Sequence, residues 1–140
     1  MSLAAATRKL GRLVKGSLIG IRVTRHGISP RIVQAQVVGT RGTTTVTGTQ
    51  LQGLFGLDDT WAEFTTITTT DPLRRLSGSV FPVPARGAAT VQTQIGGAWR
   101  TVGPVTVSGV GAFSIAVPSG RYRIVVGSLT GPTVTVRDGG

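Results

Sequence analysis

The 140-residue sequence contains no cysteine, one histidine, one methionine and only five acidic residues. Without cysteine there are no disulfides, thiolate metal sites or cysteine nucleophiles, and the chain suits a reducing or an oxidising compartment equally. With His26 as the only histidine, neither a multi-histidine metal centre nor a serine triad is expected. Aromatic residues make up 5% of the chain, too few for the stacking surfaces of a nucleic-acid module. No apolar run approaches the roughly 18 residues of a membrane span, and the stretch from Met1 through Ala4, Ala5 and Ala6 to Leu10 lacks the apolar core of a signal peptide. These absences imply either a cytoplasmic protein or a fragment without its export signal. Phosphate-binding glycine loops, metal motifs and dinucleotide fingerprints are absent too, so no cofactor is expected.

What the sequence does contain is basic charge, glycine and β-forming residues. The net charge of +10 is spread evenly, about +5 in residues 1–70 and +5 in residues 71–140. Only Arg8, Lys9, Arg12 and Lys15 cluster; most of the others are single arginines between strand residues, where a solvated side chain normally sits. Such diffuse charge suits weak attraction to an anionic polymer, and argues against specific nucleic-acid recognition. The 21 glycines, seven prolines and tracts of Thr and Val favour strands and turns. The expected fold class is mainly β, in two small pieces.

Leu10, Leu13 and Val14 share one face at helical spacing among the basic cluster, which predicts a short amphipathic helix ending at the Gly16 break. From Leu18 the period becomes two. Ile19, Ile21 and Val23 are expected on one face of a strand with Arg22 and Thr24 opposite, and Val33, Ala35 and Val37 on the next with Gln34 and Gln36 opposite. Gly27 to Pro30 and Arg41-Gly42 supply the turns, the second leading into Thr43–Thr47. Thr49-Gln50-Leu51-Gln52 has the form of a capping box, with Leu51, Leu54 and Phe55 as the apolar face of the helix and Gly56 as its left-handed cap. A strand is expected from Trp61 to Ile67, followed by a linker over Thr68-Thr69-Thr70-Asp71-Pro72.

Ile21, Arg25, Ser29-Pro30-Arg31 and Val33, read with Gly39-Thr40-Arg41-Gly42, Val46-Thr47-Gly48 and the run Leu54-Phe55-Gly56-Leu57-Asp58-Asp59-Thr60-Trp61, form an ordered series. It resembles the C-terminal part of the stage II sporulation protein D family, also called the amidase-enhancer family, over roughly residues 10–67. The resemblance implies a peptidoglycan-acting protein of the bacterial envelope, cell-surface or secreted: some members are lytic transglycosylases and others stimulate a wall amidase. The family's catalytic glutamate lies upstream of the matched segment, which implies a further, upstream catalytic region. Four positions depart from the family pattern: Pro30 where Gly is usual, Gln52 and Asp58 where Arg is usual, and Asp59 where Ser is usual.

The acidic inventory points the same way, because glycan cleavage needs a positioned carboxyl as general acid. The whole set is Asp58, Asp59, Glu63, Asp71 and Asp138. Asp71 before Pro72 reads as a turn former, Asp138 as a tail residue, and Asp58, Asp59 and Glu63 as a solvated loop after the helix cap. The expectation is a chain that is not itself an enzyme, with no catalytic, cofactor or metal residue. Arg25, His26, Arg31 and Trp99 are the candidate wall-contact residues, with peptidoglycan or an anionic wall polymer as partner.

Beyond the linker, Val91 and Thr93 alternate with Gln92 and Gln94, Phe113, Ile115 and Val117 with Ser114 and Ala116, and Val134 and Val136 with Thr133 and Thr135. Glycine-containing turns separate the runs, which predicts a β-sandwich of short strands. The run from Gly111 and Phe113 through Val117-Pro118-Ser119-Gly120 to Tyr122, Ile124 and Val126 resembles the ending of bacterial Ig-like or prealbumin-like accessory domains. The expected organisation is therefore a partial sporulation-protein-D-like piece at 1–70 and an Ig-like sandwich at 71–140. Trp99 and Tyr122 together suggest a sugar-stacking platform, weighed against a core role. Two functions compete: the non-catalytic tail of a glycan hydrolase or amidase enhancer, and a stand-alone wall-binding or adhesive β module.

Overall fold

A computed structural model of the chain describes residues 1–71 and 73–138. The architecture is mainly β, with two short helices and several antiparallel sheets, and divides into two compact units, Met1–Thr66 and Ile67–Gly140.

The first unit is a three-stranded antiparallel meander, β1 (Leu18–His26), β2 (Ile32–Gly39) and β3 (Gly42–Thr47), with helices α1 (Leu3–Leu10) and α2 (Gly48–Phe55). Leu10 and Leu51 from the helices pack with Leu18, Ile21, Ile32, Ala35, Val37 and Val46 from the sheet in one core. α1 starts and ends earlier than its apolar spacing predicts. Ser2 accepts a hydrogen bond from Ala5 N at 3.2 Å as N-cap, the Leu-Ala-Ala-Ala run has high helix propensity, and Gly11 at φ 53° stops the helix. Residues 11–13 form a single 3₁₀ turn that still carries Leu13 to the core.

Two departures from strict alternation matter more. The β1–β2 register slips between Leu18 and Gly20 and again between Val23 and His26. Ile21 is in the core as expected, but these irregularities put Leu18 there in place of Ile19, and bury Ile32 while leaving Val33 37% exposed. The capping box also lies two residues earlier than predicted. Thr47 Oγ1 accepts from Gln50 N at 3.2 Å and Gln50 Oε1 accepts from Thr47 N at 2.8 Å. The helix can start directly off β3 because Gly48 lies against the Ile32 carbonyl oxygen, where any Cβ would collide. At the other end Gly56 adopts the left-handed cap as expected.

Residues 61–65 form no strand. The threonine run expected as a linker is instead strand β4 (Thr66–Thr70), the first of the second unit's sheets, while Pro72 lies outside the described residues. Thr68 Oγ1 lies 2.9 Å from Ser79 Oγ, and Thr70 Oγ1 donates to Ser77 O at 2.7 Å, so these hydroxyls fasten β4 to β5 (Arg75–Phe81). The unit's two sheets have the order β4-β5-β8 and β10-β9-β6-β7, with β6 Ala89–Ile95, β7 Ala98–Pro104, β8 Ala112–Ala116, β9 Gly120–Val126 and β10 Leu129–Thr130. β11 (Val134–Val136) pairs with β9 beyond β10, so β10 and β11 act as halves of one edge strand. Lettered A to G in chain order, the sheets are A-B-E and G-F-C-D. This is an Ig-like sandwich with strand D beside C, where constant-type Ig domains have it beside E. Leu76, Val80 and Phe113 from one sheet meet Val91, Tyr122, Ile124 and Val136 from the other in a single core.

Candidate functional site

Three of the four candidate residues lie at one end of the first unit, around the β1–β2 turn. Gly27 N donates to Arg31 O at 2.9 Å and closes the turn. His26 Nδ1 lies 3.0 Å from Pro30 O, and since a carbonyl only accepts, Nδ1 is the donor of this bond. Arg25 and His26 are exposed. Arg31 is already engaged: its guanidinium contacts Asp59 Oδ2 at 2.9 Å. Asp59 Oδ1 also accepts from Thr60 N, and Thr60 O accepts from Ile32 N at 2.9 Å. The Thr60 backbone hydrogen bond holds the Asp59 carboxyl below its usual range; desolvation opposes it, and the charge of Arg31 adds a lesser lowering.

Pro30, Gln52, Asp58 and Asp59 all take part in this local bonding. Pro30 O serves His26, Asp59 serves Arg31, and Gln52 Nε2 donates to Asp58 O at 3.3 Å. Trp61, next along, is 64% exposed, an apolar surface that the strand expected there concealed.

Trp99, the fourth candidate, belongs to the second unit. Its expected platform with Tyr122 does not form, because Tyr122 points into the sandwich core at 5% exposure. Trp99 has a different partner. The Arg123 guanidinium lies 4.2 Å from the Trp99 ring centroid, and Arg123 Nε donates to Gln92 Oε1 at 2.8 Å. Gln92 pairs with Arg123 on one side and Thr101 on the other, with Gln92 Nε2 3.4 Å from Thr101 Oγ1. Because Val91, Tyr122 and Ile124 point inward, Gln92, Arg123 and Trp99 stand on the sheet's outer face. Sequence reasoning missed Arg123, Gln92 and Thr101 as a group. The alternation alone placed Arg123 and Gln92 outward, but nothing local shows that strands 31 residues apart are neighbours.

Comparison with protein-family models, with characterised proteins and with solved structures finds no match.

Most of the acidic side chains lie on exposed surface. Glu63 is exposed between the inward-packing Ala62 and Phe64, and Asp58 and Asp71 are exposed as well. Asp138 lines a hollow with Arg74, Val117, Pro118 and Ser119, but the Ser119 hydroxyl and then Arg74, whose Nη2 is 3.1 Å away, hold its carboxyl in the ionised form. A general acid near neutral pH needs the opposite shift, from burial or a like charge. Among the described residues no three His, Asp or Glu lie close enough to hold a metal ion, and no helix is long and apolar enough to cross a membrane. What the surface offers chemically is recognition: exposed arginines, one histidine, and an aromatic ring beside a guanidinium.

Proposed function

We infer that this chain serves in the bacterial cell envelope as the non-catalytic portion of a peptidoglycan glycan hydrolase or amidase enhancer, contributing structure and wall contact. One observation carries the reading. The separate parts of the ordered series, the Ser29-Pro30-Arg31 turn and the Gly56–Trp61 segment, lie side by side, joined by the Ile32 N–Thr60 O bond. Segments that carry a shared pattern at a distance in sequence but bond to one another in space behave as one structural signature. The placement of the five acidic side chains favours binding over bond cleavage, and the excess of positive charge favours an anionic, wall-like polymer.

The test is sedimentation of the intact chain with insoluble peptidoglycan at low and high salt, with soluble glycan fragments assayed in the same tubes. The reading expects binding that survives high salt and no fragment release. Binding that disappears with salt reduces the interaction to diffuse attraction, and released fragments overturn the non-catalytic assignment.

A further inference from the structure

The outer face of the β9-β6-β7 sheet carries a feature that wall contact in general does not require. Arg123 is fixed from two sides, by the Trp99 ring and by Gln92 Oε1. Among the described residues the ion pairs involve Arg31 and Arg74, and Arg123 has no carboxylate partner there. The sequences of β6, β7 and β9 contain Arg100, Arg121 and Arg123 and no acidic residue. A guanidinium held rigid with its terminal NH₂ groups unused by any carboxylate is preorganised for a planar anion. Beside it the half-buried Trp99 ring offers an apolar surface, and Gln94 and Thr101 offer amide and hydroxyl groups.

The first unit supplies an internal control. There Arg22, Gln36 and Thr45 are paired across β1, β2 and β3, the same three residue types in the same order as Arg123, Gln92 and Thr101. One step toward the hairpin turn on this face the pair is Val38–Thr43, whereas in the second unit it is Gln94–Trp99. The rows share their polar groups, and only one has an aromatic ring.

Building on the wall-contact reading, we propose that the Trp99–Arg123 face is a binding site for a polysaccharide whose sugars carry carboxylates. A pyranose ring packs its C–H face on Trp99, its carboxylate takes two hydrogen bonds from Arg123, and Gln94 and Thr101 meet ring hydroxyls. Single-stranded nucleic acid is the less suitable occupant. It calls for successive stacking rings along a basic groove, and this face has one ring.

The chain has two tryptophans, so the Trp61→Phe variant of the full chain makes Trp99 the sole tryptophan and its fluorescence a direct reporter. Titration with oligogalacturonate is expected to give a saturable change. Arg123→Gln is expected to weaken it about tenfold, and Arg22→Gln to leave it unchanged. An equal response to neutral chito-oligosaccharide, polyphosphate or oligo-dT overturns the proposal, as does a response that ignores Arg123→Gln. Circular dichroism of each variant keeps loss of fold apart from loss of binding. Sedimentation separates this inference from the broader reading. If Trp99→Ala/Arg123→Gln chains sediment with peptidoglycan as well as the parent, this site fails and wall contact stands. If the parent does not sediment yet oligogalacturonate saturates Trp99, the site stands and the wall reading fails.

Discussion

In the first unit the inner face of a three-stranded sheet is closed by Leu10 and Leu51 from two short helices, whereas in the second it is closed by another sheet bearing Val91, Tyr122 and Ile124. The helical solution is local: α2 follows β3 without a loop, and Lys9 Nζ reaches Leu54 O at 3.4 Å to join α1 to the C-terminal end of α2, where a cation is favoured. The sandwich depends on partners far apart in sequence, such as β5 with β8 and β6 with β9. The outer faces share an Arg-Gln-Thr row, and beside it the second unit carries Gln94 and Trp99 where the first carries Val38 and Thr43.

The comparison is broken most severely at one glycine in each unit. A Cβ on Gly48 would strike the Ile32 carbonyl oxygen, and one on Gly78 the Thr68 carbonyl oxygen and the Phe113 ring. Gly48→Ala is expected to cost the first unit, and Gly78→Ala the second, roughly 4 kcal/mol or more. Hydrogen exchange resolved by peptide would show each loss confined to its own unit; loss across both would mean that the units do not fold separately. Next in size is the capping box, which belongs to the first unit alone. Thr47→Ala should lower that unit's stability by about 1 kcal/mol and speed exchange in α2 while leaving the sandwich unaffected.

A smaller effect of opposite sign is expected at Thr44, whose Oγ1 is buried without a hydrogen-bond partner on the inner face of β3. Thr44→Val keeps the shape and removes the unsatisfied hydroxyl, so denaturant unfolding should shift upward by up to about 1 kcal/mol. The smallest effect is the pH dependence of the exposed pairs, Arg31–Asp59 in one unit and Arg74–Asp138 in the other. Both carboxyls ionise below their usual value of 3.8, so the unfolded chain binds protons more readily than the folded one in that range. Their contribution is complete above about pH 4 and is lost as the pH falls through the folded values. Asp59→Asn should flatten the acid limb of the first unit's stability profile and Asp138→Asn that of the second.

The mainly β class, the helix at Leu51–Phe55 with its Gly56 cap and the short strands of the sandwich were legible because each rests on local periodicity or turn chemistry. The failures have equally local causes. Bulges in β1 and β2 broke the alternation that placed Ile19 and Val33 inside, and a second Thr-x-x-Gln match concealed the true box at Thr47. The threonine run read as a linker is a strand because Ser77 and Ser79 lie opposite, a pairing no single segment reveals. Of the site, Trp99 was legible as an aromatic in a hairpin; its partner Arg123 was not, and Tyr122 was lost to the core.

The most direct test of the central claim, that an acidic glycan binds the ring-bearing face and not its counterpart, is amide chemical-shift mapping of the full chain with such a glycan. The account predicts saturable shifts at Gln92, Gln94, Trp99, Thr101 and Arg123, with Arg22, Gln36 and Thr45 unmoved. Equal shifts on both rows, or shifts confined to the first unit, would contradict it.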